Sequence, residues 1–429
     1  MRRLALSPRG RRRSPLGRDF WLYFSGQAVS QFGSSFTAFA LPLLVYKLTG
    51  SATSLAITTA ATFVPYLLFG LVLGAVSDRV DRRLMMLRTD LARAAVIAAL
   101  PLLALAGLLS VWEIYLVTFV QSTLTILFNC GEFAAIPALV GEGELVAANA
   151  RIMATNNIGP ILGPSIAGAL VVLVPVSQLL FVDAASFVVS AGCLAAICRS
   201  FNPGPVGERS GSPLAGLMRD VREGLVYVWG HRLLRSISLM MALINFVYAT
   251  ATSQLVLFAK RTLHASNAEI GFLFACGAAG IVAVSLAAGP LRRRLSFAVT
   301  ALGALVVSGL ALTAMALLHS YLAALALWGA AQGFGLLLNI NTGALRQAIV
   351  PPQLFGRVVS VAQVLAWSAI PLGAVAGAAA IGAAGVVPVY AAMGILAALI
   401  AGAFGLGPVG EGDRYLREVA VPQAATSGE

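Results

Sequence analysis

The sequence is short of charge. Asp, Glu, Lys and Arg make up 11% of the 429 residues, while 59% are hydrophobic; a typical soluble domain carries roughly 25% charged residues. A soluble chain of this size must cover its surface with polar groups, and this one lacks the residues to do so. The same figures exclude disorder. Cysteine is scarce too. Cys130, Cys193, Cys198 and Cys276 all lie in or beside apolar stretches and point to neither a disulfide framework nor a zinc cluster. The three histidines, His231, His264 and His319, have no metal-ligand company at useful spacing. No glycine-rich loop ends in Gly-Lys-Ser/Thr, so ATP is not the direct energy source. A clustered nucleophile, metal set or acid/base pair of the kind an enzyme needs is also missing. The expectation is no enzyme activity, no metal and no cofactor.

What the chain has is long apolar runs. A hydrocarbon core of ~30 Å takes ~20 apolar residues as a helix. Twelve such segments follow one another: 20–48, 53–77, 84–108, 112–137, 151–174, 177–198, 233–258, 267–289, 296–317, 320–344, 358–383 and 387–407. They are too long for barrel strands of ~10 residues with a polar inner face. The expected fold is an all-α polytopic membrane protein, with twelve transmembrane helices in two pseudo-symmetric six-helix bundles.

With the N-terminus in the cytoplasm, 26 of the 29 Lys and Arg fall on the inner side, leaving Lys47, Lys260 and Arg261 outside. The positive-inside rule describes this asymmetry, and dropping one helix would reverse every later loop. The net charge of +12 is therefore a topology signal, with no nucleic-acid partner expected. The basic stretch before Phe20 opens an uncleaved first span, because the apolar run through Leu48 exceeds a signal peptide's ~7–15-residue apolar region. The expected location is the inner (plasma) membrane, multi-pass, with both termini cytoplasmic.

The longest polar interruption, 199–232, divides the spans six and six. It begins Asn202-Pro203-Gly204-Pro205; then Leu214, Leu217, Val221, Leu225 and Val228 recur at helical spacing among charges. That pattern predicts an amphipathic helix on the interface or under the bundle. The expected organisation is a basic arm 1–19, a bundle 20–198, a linker 199–232, a second bundle 233–407 and a tail 408–429. Weak internal symmetry agrees. Ala138-Leu139-Val140 after span four matches Ala348-Ile349-Val350 after span ten. Pro160, Gly163 and Gly168 in span five match Pro371, Gly373 and Gly377 in span eleven.

The sharpest local pattern closes the second span: Gly74, Asp78, Arg79, Asp81, Arg82 and Arg83. A carboxylate at a helix C-terminus is disfavoured by the backbone dipole unless cations face it. Such a cluster suits a latch whose ion pairs form and break with domain motion; the alternative is an ordinary basic turn. The pattern resembles the signature between spans two and three of the major facilitator superfamily. It matches at Gly74, Asp78, Arg79, Arg82 and Arg83, with Asp81 where that signature has Gly. Span five resembles the Gly/Pro-rich element of proton-coupled exporters at Gly159, Gly163, Pro164 and Gly168, with Ala167 replacing one Gly. Phe20 to Gln27, Asp183 to Phe187, and Gln347 to Arg357 resemble the macrolide-efflux and enterobactin-exporter branch. Span four lacks the Arg and Gln signature of many drug exporters. The resemblance covers nearly the whole chain and implies twelve spans and export driven by a proton gradient.

Ionised groups in hydrocarbon are expensive, so intramembrane acids should face protein, water or a partner. Asp90 has Arg93 one turn on, which predicts an internal ion pair. Asp183, flanked by Ala184, Ala185 and Ser186, is a candidate for helix packing or for proton transfer. Glu132 has no basic residue near it in its span and is the leading candidate for proton coupling; an interface hydrogen bond or a structural ion pair are the alternatives. Gln27, Gln31 and Ser34 recur at four and three residues, a plausible cavity wall, with Asn129, Asn157, Asn245 and Asn339 as further polar points. The expected function is secondary active transport, as proton-coupled efflux of a small amphipathic drug or secreted metabolite by alternating access. Its expected partners are the bilayer, protons and a small-molecule substrate, with the protein working as a monomer. Uptake of a nutrient or siderophore is the alternative within transporters; a membrane receptor or enzyme explains less of the chain.

Overall fold

The computed structural model describes residues 16–77, 80–140, 144–199, 201 and 213–415. Its helices are α1 (Arg18–Thr49), α2 (Ala52–Ser77), α3 (Arg82–Leu105), α4 (Val111–Leu139), α5 (Leu145–Leu170), α6 (Leu180–Ala196), α7 (Pro213–Gly230), α8 (Arg232–Ser253), α9 (Leu255–Arg261), α10 (Asn267–Arg294), α11 (Phe297–Leu318), α12 (Tyr321–Ile349), α13 (Pro352–Ala384) and α14 (Val386–Gly405). The chain is an all-α polytopic membrane protein. Ten helices among the described residues are long and apolar enough to cross a membrane, α6 counted with the 3-10 turn Val176–Leu179 before it. Helices α3 and α5 fall outside that set because their first halves are polar. The first carries Arg82, Arg83, Arg88, Asp90 and Arg93; the second carries Asn149, Arg151, Asn156 and Asn157.

Most boundaries lie close to the sequence expectation, and three departures have physical causes. Helix α5 begins at Leu145, six residues before the expected start at Arg151. That arginine need not sit at a helix end, because its guanidinium lies over the Trp21 ring, 5.8 Å from the centroid. The expected span 233–258 is two helices, broken at Gln254, whose side chain leaves its own helix to donate to Ala52 O at 2.8 Å. Helix α13 starts at Pro352, six residues earlier than expected, with proline in the first turn, where no amide donor is needed.

Short, well-capped turns enforce antiparallel neighbours. Gly50 ends α1 with φ 58°, a left-handed conformation natural to glycine, and its N–H reaches Tyr46 O at 2.8 Å. Ser266 and Glu269 form a capping box at α10, with Ser266 N donating to Glu269 Oε2 at 2.7 Å and Glu269 N to Ser266 Oγ at 3.2 Å.

Helix α1 packs on α5 and α6, α3 on α4 and α6, and α2 on α4. Correspondingly, α8 packs on α13 and α14, α11 on α12 and α14, and α10 on α12. Two seams join these groups, α5 against α10 and α2 against α13. At the end bearing Gly50 the groups are tied together. Arg261 Nη2 donates to Gly50 O at 2.7 Å, and Phe39 meets Phe274 edge-on with ring centroids 6.1 Å apart. Helix α7 packs on α13: Gly224 sits against the backbone of Arg357, and Glu223 pairs with Arg357 at 2.5 Å.

Candidate functional site

Helices α1, α3, α4 and α6 gather the three intramembrane acids around one arginine. Asp90 on α3 is fully buried and accepts from Arg93 Nη1 at 3.3 Å, so the pair expected from their spacing is formed. The guanidinium carbon lies 3.9 Å from the centroid of the Phe187 ring on α6 and 5.5 Å from that of Phe128 on α4. Those ring faces hold the cation where solvent does not reach. Asp90 Oδ2 and Arg93 Nε have no hydrogen-bond partner, which leaves the pair able to take a second one.

Asp183 on α6 is buried among hydroxyls. It accepts from Ser34 at 3.1 Å, from Thr37, and from Ser186 at 3.3 Å. Glu132 on α4 is half-buried and accepts one hydrogen bond, from the Tyr23 hydroxyl at 2.8 Å. No ion pair forms at Glu132 or Asp183 among the described residues. Arg93 is within electrostatic reach of Asp90, Glu132 and Asp183.

The polar face of α1 expected as a cavity wall is divided. The face shared by Gln27, Gln31 and Ser34 is turned to α6: Gln27 is buried and donates to Ser190 at 3.3 Å, and Ser34 reaches Asp183. Only Gln31, at the edge of that face, is exposed. Of the other polar candidates, Asn129 is exposed one turn before Glu132, Asn245 is half-buried, and Asn339 is exposed and donates to Gly335 O at 3.2 Å. The side chain of Asn157 lies outside the described residues.

Asp78 and Arg79 of the inner turn lie outside the described residues, as do the surroundings of Gly74. Arg82 opens α3, half-buried. Arg83 donates from Nε to Leu194 O at 2.9 Å and from Nη2 to Ala195 O at 2.5 Å, capping the last turn of α6. Asp81, at the position where the signature has Gly, caps α3 by accepting from Leu84 N at 2.8 Å.

The small residues of α5 set its distance from two neighbours. A Cβ on Gly163 would fall 1.6 Å from Ser35 Oγ, and one on Gly168 would fall 2.8 Å from the Cα of Gly271 on α10. Gly159 faces Gln31 O, and Pro164 O faces Gly271 across the α5–α10 seam. The α2–α13 seam carries an aromatic cluster: Tyr66 and Trp367 lie edge to face with centroids 5.4 Å apart, and Phe63 stands 6.5 Å from Trp367. Sequence reasoning missed Tyr23 and Thr37. Yet Tyr23 precedes Gln27 by four residues and Thr37 follows Ser34 by three, so both continue the stripe already visible on α1. Phe63 and Tyr66 gave no comparable signal.

The chain is a secondary transporter of the major facilitator superfamily. The chain belongs to the transmembrane secretion effector family of that superfamily, whose model matches residues 13–418. It is 27% identical over 364 residues to macrolide efflux protein A of Streptococcus pyogenes, covering 82% of this chain and 87% of that protein. With the multidrug efflux pump Tap of Mycolicibacterium fortuitum it shares 29% identity over 362 residues, 80% of this chain and 84% of that one. Among solved structures, a bacterial homologue of the human lysosomal transporter Spinster, inward-facing and unoccupied, superposes with a TM-score of 0.72 at 15% identity, covering 94% of this chain and 97% of that one. An inward-facing bacterial homologue of the iron transporter ferroportin gives 0.66 at 16% identity, covering 91% and 99%. These two likenesses are of fold.

Proposed function

We propose that this transporter exports a small amphipathic compound in exchange for protons, by alternating access between two pseudo-symmetric six-helix bundles. The observation that carries proton coupling is Glu132: a half-buried carboxyl in a spanning helix, held by one neutral hydroxyl and by no ion pair among the described residues. Asp183, held by hydroxyls alone, is the second coupling candidate. Efflux is favoured by likeness to proteins named as macrolide and multidrug efflux pumps.

Twelve spans follow if α3 and α5 cross the membrane beside the ten apolar helices, at 24 and 26 residues long enough to do so. The recurring packing pairs support the halves 20–198 and 233–407, joined by the linker 199–232, with a cytoplasmic arm 1–19 before them and a tail 408–429 after. The two cross-group seams then close and open alternately, with Gly159, Gly163, Pro164 and Gly168 permitting close approach. The ties at Gly50 seal the outer end, giving an inward-facing state. Gly74, Asp78, Arg79, Arg82 and Arg83 act at the inner gate. Gln31, Asn129, Asn245, Asn339 and Asn157 remain the polar points for cargo. The protein works as a monomer in the plasma membrane with both termini cytoplasmic.

The test is transport in sealed inside-out vesicles with an acidic lumen, using a macrolide, an aromatic cation and a siderophore-like compound. Accumulation of at least one, abolished by a protonophore, is expected. Gradient-driven movement out of the lumen would mean uptake, and equal rates without a gradient would remove proton coupling.

A further inference from the structure

Helix α12 ends on an arginine that no described residue balances. The Arg346 side chain is largely buried and its Nη2 has no hydrogen-bond partner. Among the described residues it makes no ion pair, ring contact or charge interaction. A buried guanidinium without a counter-charge is costly, and such groups in membrane proteins pair with something.

The second group of helices cannot supply that partner. Between Arg232 and Gly405 the one acid is Glu269, and it lies at the far end: Tyr321, which opens α12, donates to Glu269 O at 2.9 Å. Arg346 stands twenty-five residues further along α12, ~37 Å away at 1.5 Å per residue. Arg93 in the first group, by contrast, is paired with Asp90 at 3.3 Å. There is also room beside Arg346. Asn339, Gly343 and Arg346 recur at four and three residues and so share a face. A Cβ added at Gly343 would meet no atom within 4 Å, and Asn339 is exposed.

We propose that Arg346 binds an anionic group of the cargo, a carboxylate or phosphate, with Gly343 leaving space for it. The cargo is then an amphiphile with at least one acidic group, not a plain lipophilic cation. A lipid headgroup could supply the same chemistry, but a snorkelling arginine carries its nitrogens out to the interface, whereas Nη2 is enclosed by protein. The inference rests on the reading of the chain as an exporter with its cargo path between the bundles.

The experiment uses two dyes that differ by one ester. Rhodamine 110 carries a free carboxylate; rhodamine 123 is its methyl ester. Binding of each to the full-length protein in nanodiscs is read by fluorescence polarisation at constant pH without a gradient, so a failure of proton coupling leaves the readout intact. Wild type should bind rhodamine 110 more tightly. Arg346→Gln should weaken that binding at least about tenfold, the loss of a charge-assisted hydrogen bond, and leave rhodamine 123 little changed. Arg346→Lys should retain most of the preference, and Arg346→Met, which also removes the charge, serves in place of the glutamine variant if that one does not fold. Equal binding of both dyes by wild type, binding of neither, or a preference unchanged in R346Q would overturn the proposal. Loss of rhodamine 110 binding when phosphatidylglycerol replaces phosphatidylcholine in the disc would assign Arg346 to lipid and overturn it too.

Discussion

The Tyr23 hydroxyl donates to Glu132 Oε1 at 2.8 Å, joining α1 to α4 across 109 residues of sequence. This bond gives the leading coupling candidate a fixed position without a fixed counter-charge. Glu132→Gln is expected to abolish uphill, pH-driven transport while leaving binding and downhill exchange measurable. The amide keeps the shape and still meets Tyr23, but it cannot cycle a proton. Substrate-induced proton release in detergent should vanish in E132Q and persist in Tyr23→Phe. Unchanged release in E132Q would move the role to Asp183.

The inner turn is tested at its carboxylate. Asp78→Asn keeps the size and removes the charge, and should stop turnover with insertion into the membrane unaffected. Transport near wild-type rates by D78N would return this cluster to an ordinary basic turn.

Arg83 is expected to behave differently from Asp78. Its two hydrogen bonds hold the end of α6, so Arg83→Ala should cost roughly 1–3 kcal/mol of stability. Thermal unfolding in detergent reads this directly. A lost turnover with unchanged unfolding temperature would confine Arg83 to the gate, with no part in capping α6.

Close approach of α5 to α10 depends on Gly168, where a Cβ meets backbone on the other helix. Gly168→Ala must push the helices apart or strain them, at a cost of roughly 1–3 kcal/mol, and turnover should fall. Gly192→Ala, on α6 with nothing within 4 Å of the new Cβ, is the control. Equal turnover in the two variants would remove the seam from the transport cycle.

Orientation is checked with single cysteines. Burial and then the nearby Lys47 push the Lys260 ammonium below its usual range, so the two lysines share one end of the molecule. Membrane-impermeant maleimide should label Lys47→Cys and Lys260→Cys from outside intact cells. Labelling from the cytoplasm alone would invert the topology.

Composition and apolar run lengths were enough to read the helices, because a spanning helix announces itself by length and hydropathy without reference to its neighbours. The Asp90–Arg93 pair was legible for the same reason: both residues lie on one helix, one turn apart. Where helices begin under tertiary control, local signals misled. Arg151 looks like an interfacial residue and is instead held over Trp21; Gln254 looks like one more polar point in a continuous span and is instead the break that ties two helix groups together.

The site divides the same way. Sequence periodicity put Gln27, Gln31 and Ser34 on one face of α1, but a period cannot say what that face meets. Only the packing of α1 on α6 turned Gln27 toward Ser190 and Ser34 toward Asp183, and left Gln31 exposed. The partner of Glu132 likewise comes from a distant helix, as do the rings that enclose Arg93. Sequence alone determined which residues are costly to bury, since that cost belongs to the side chain. The tertiary structure decided how each cost is met, because hydrogen bonds and charge contacts between helices depend on distances that no local pattern encodes.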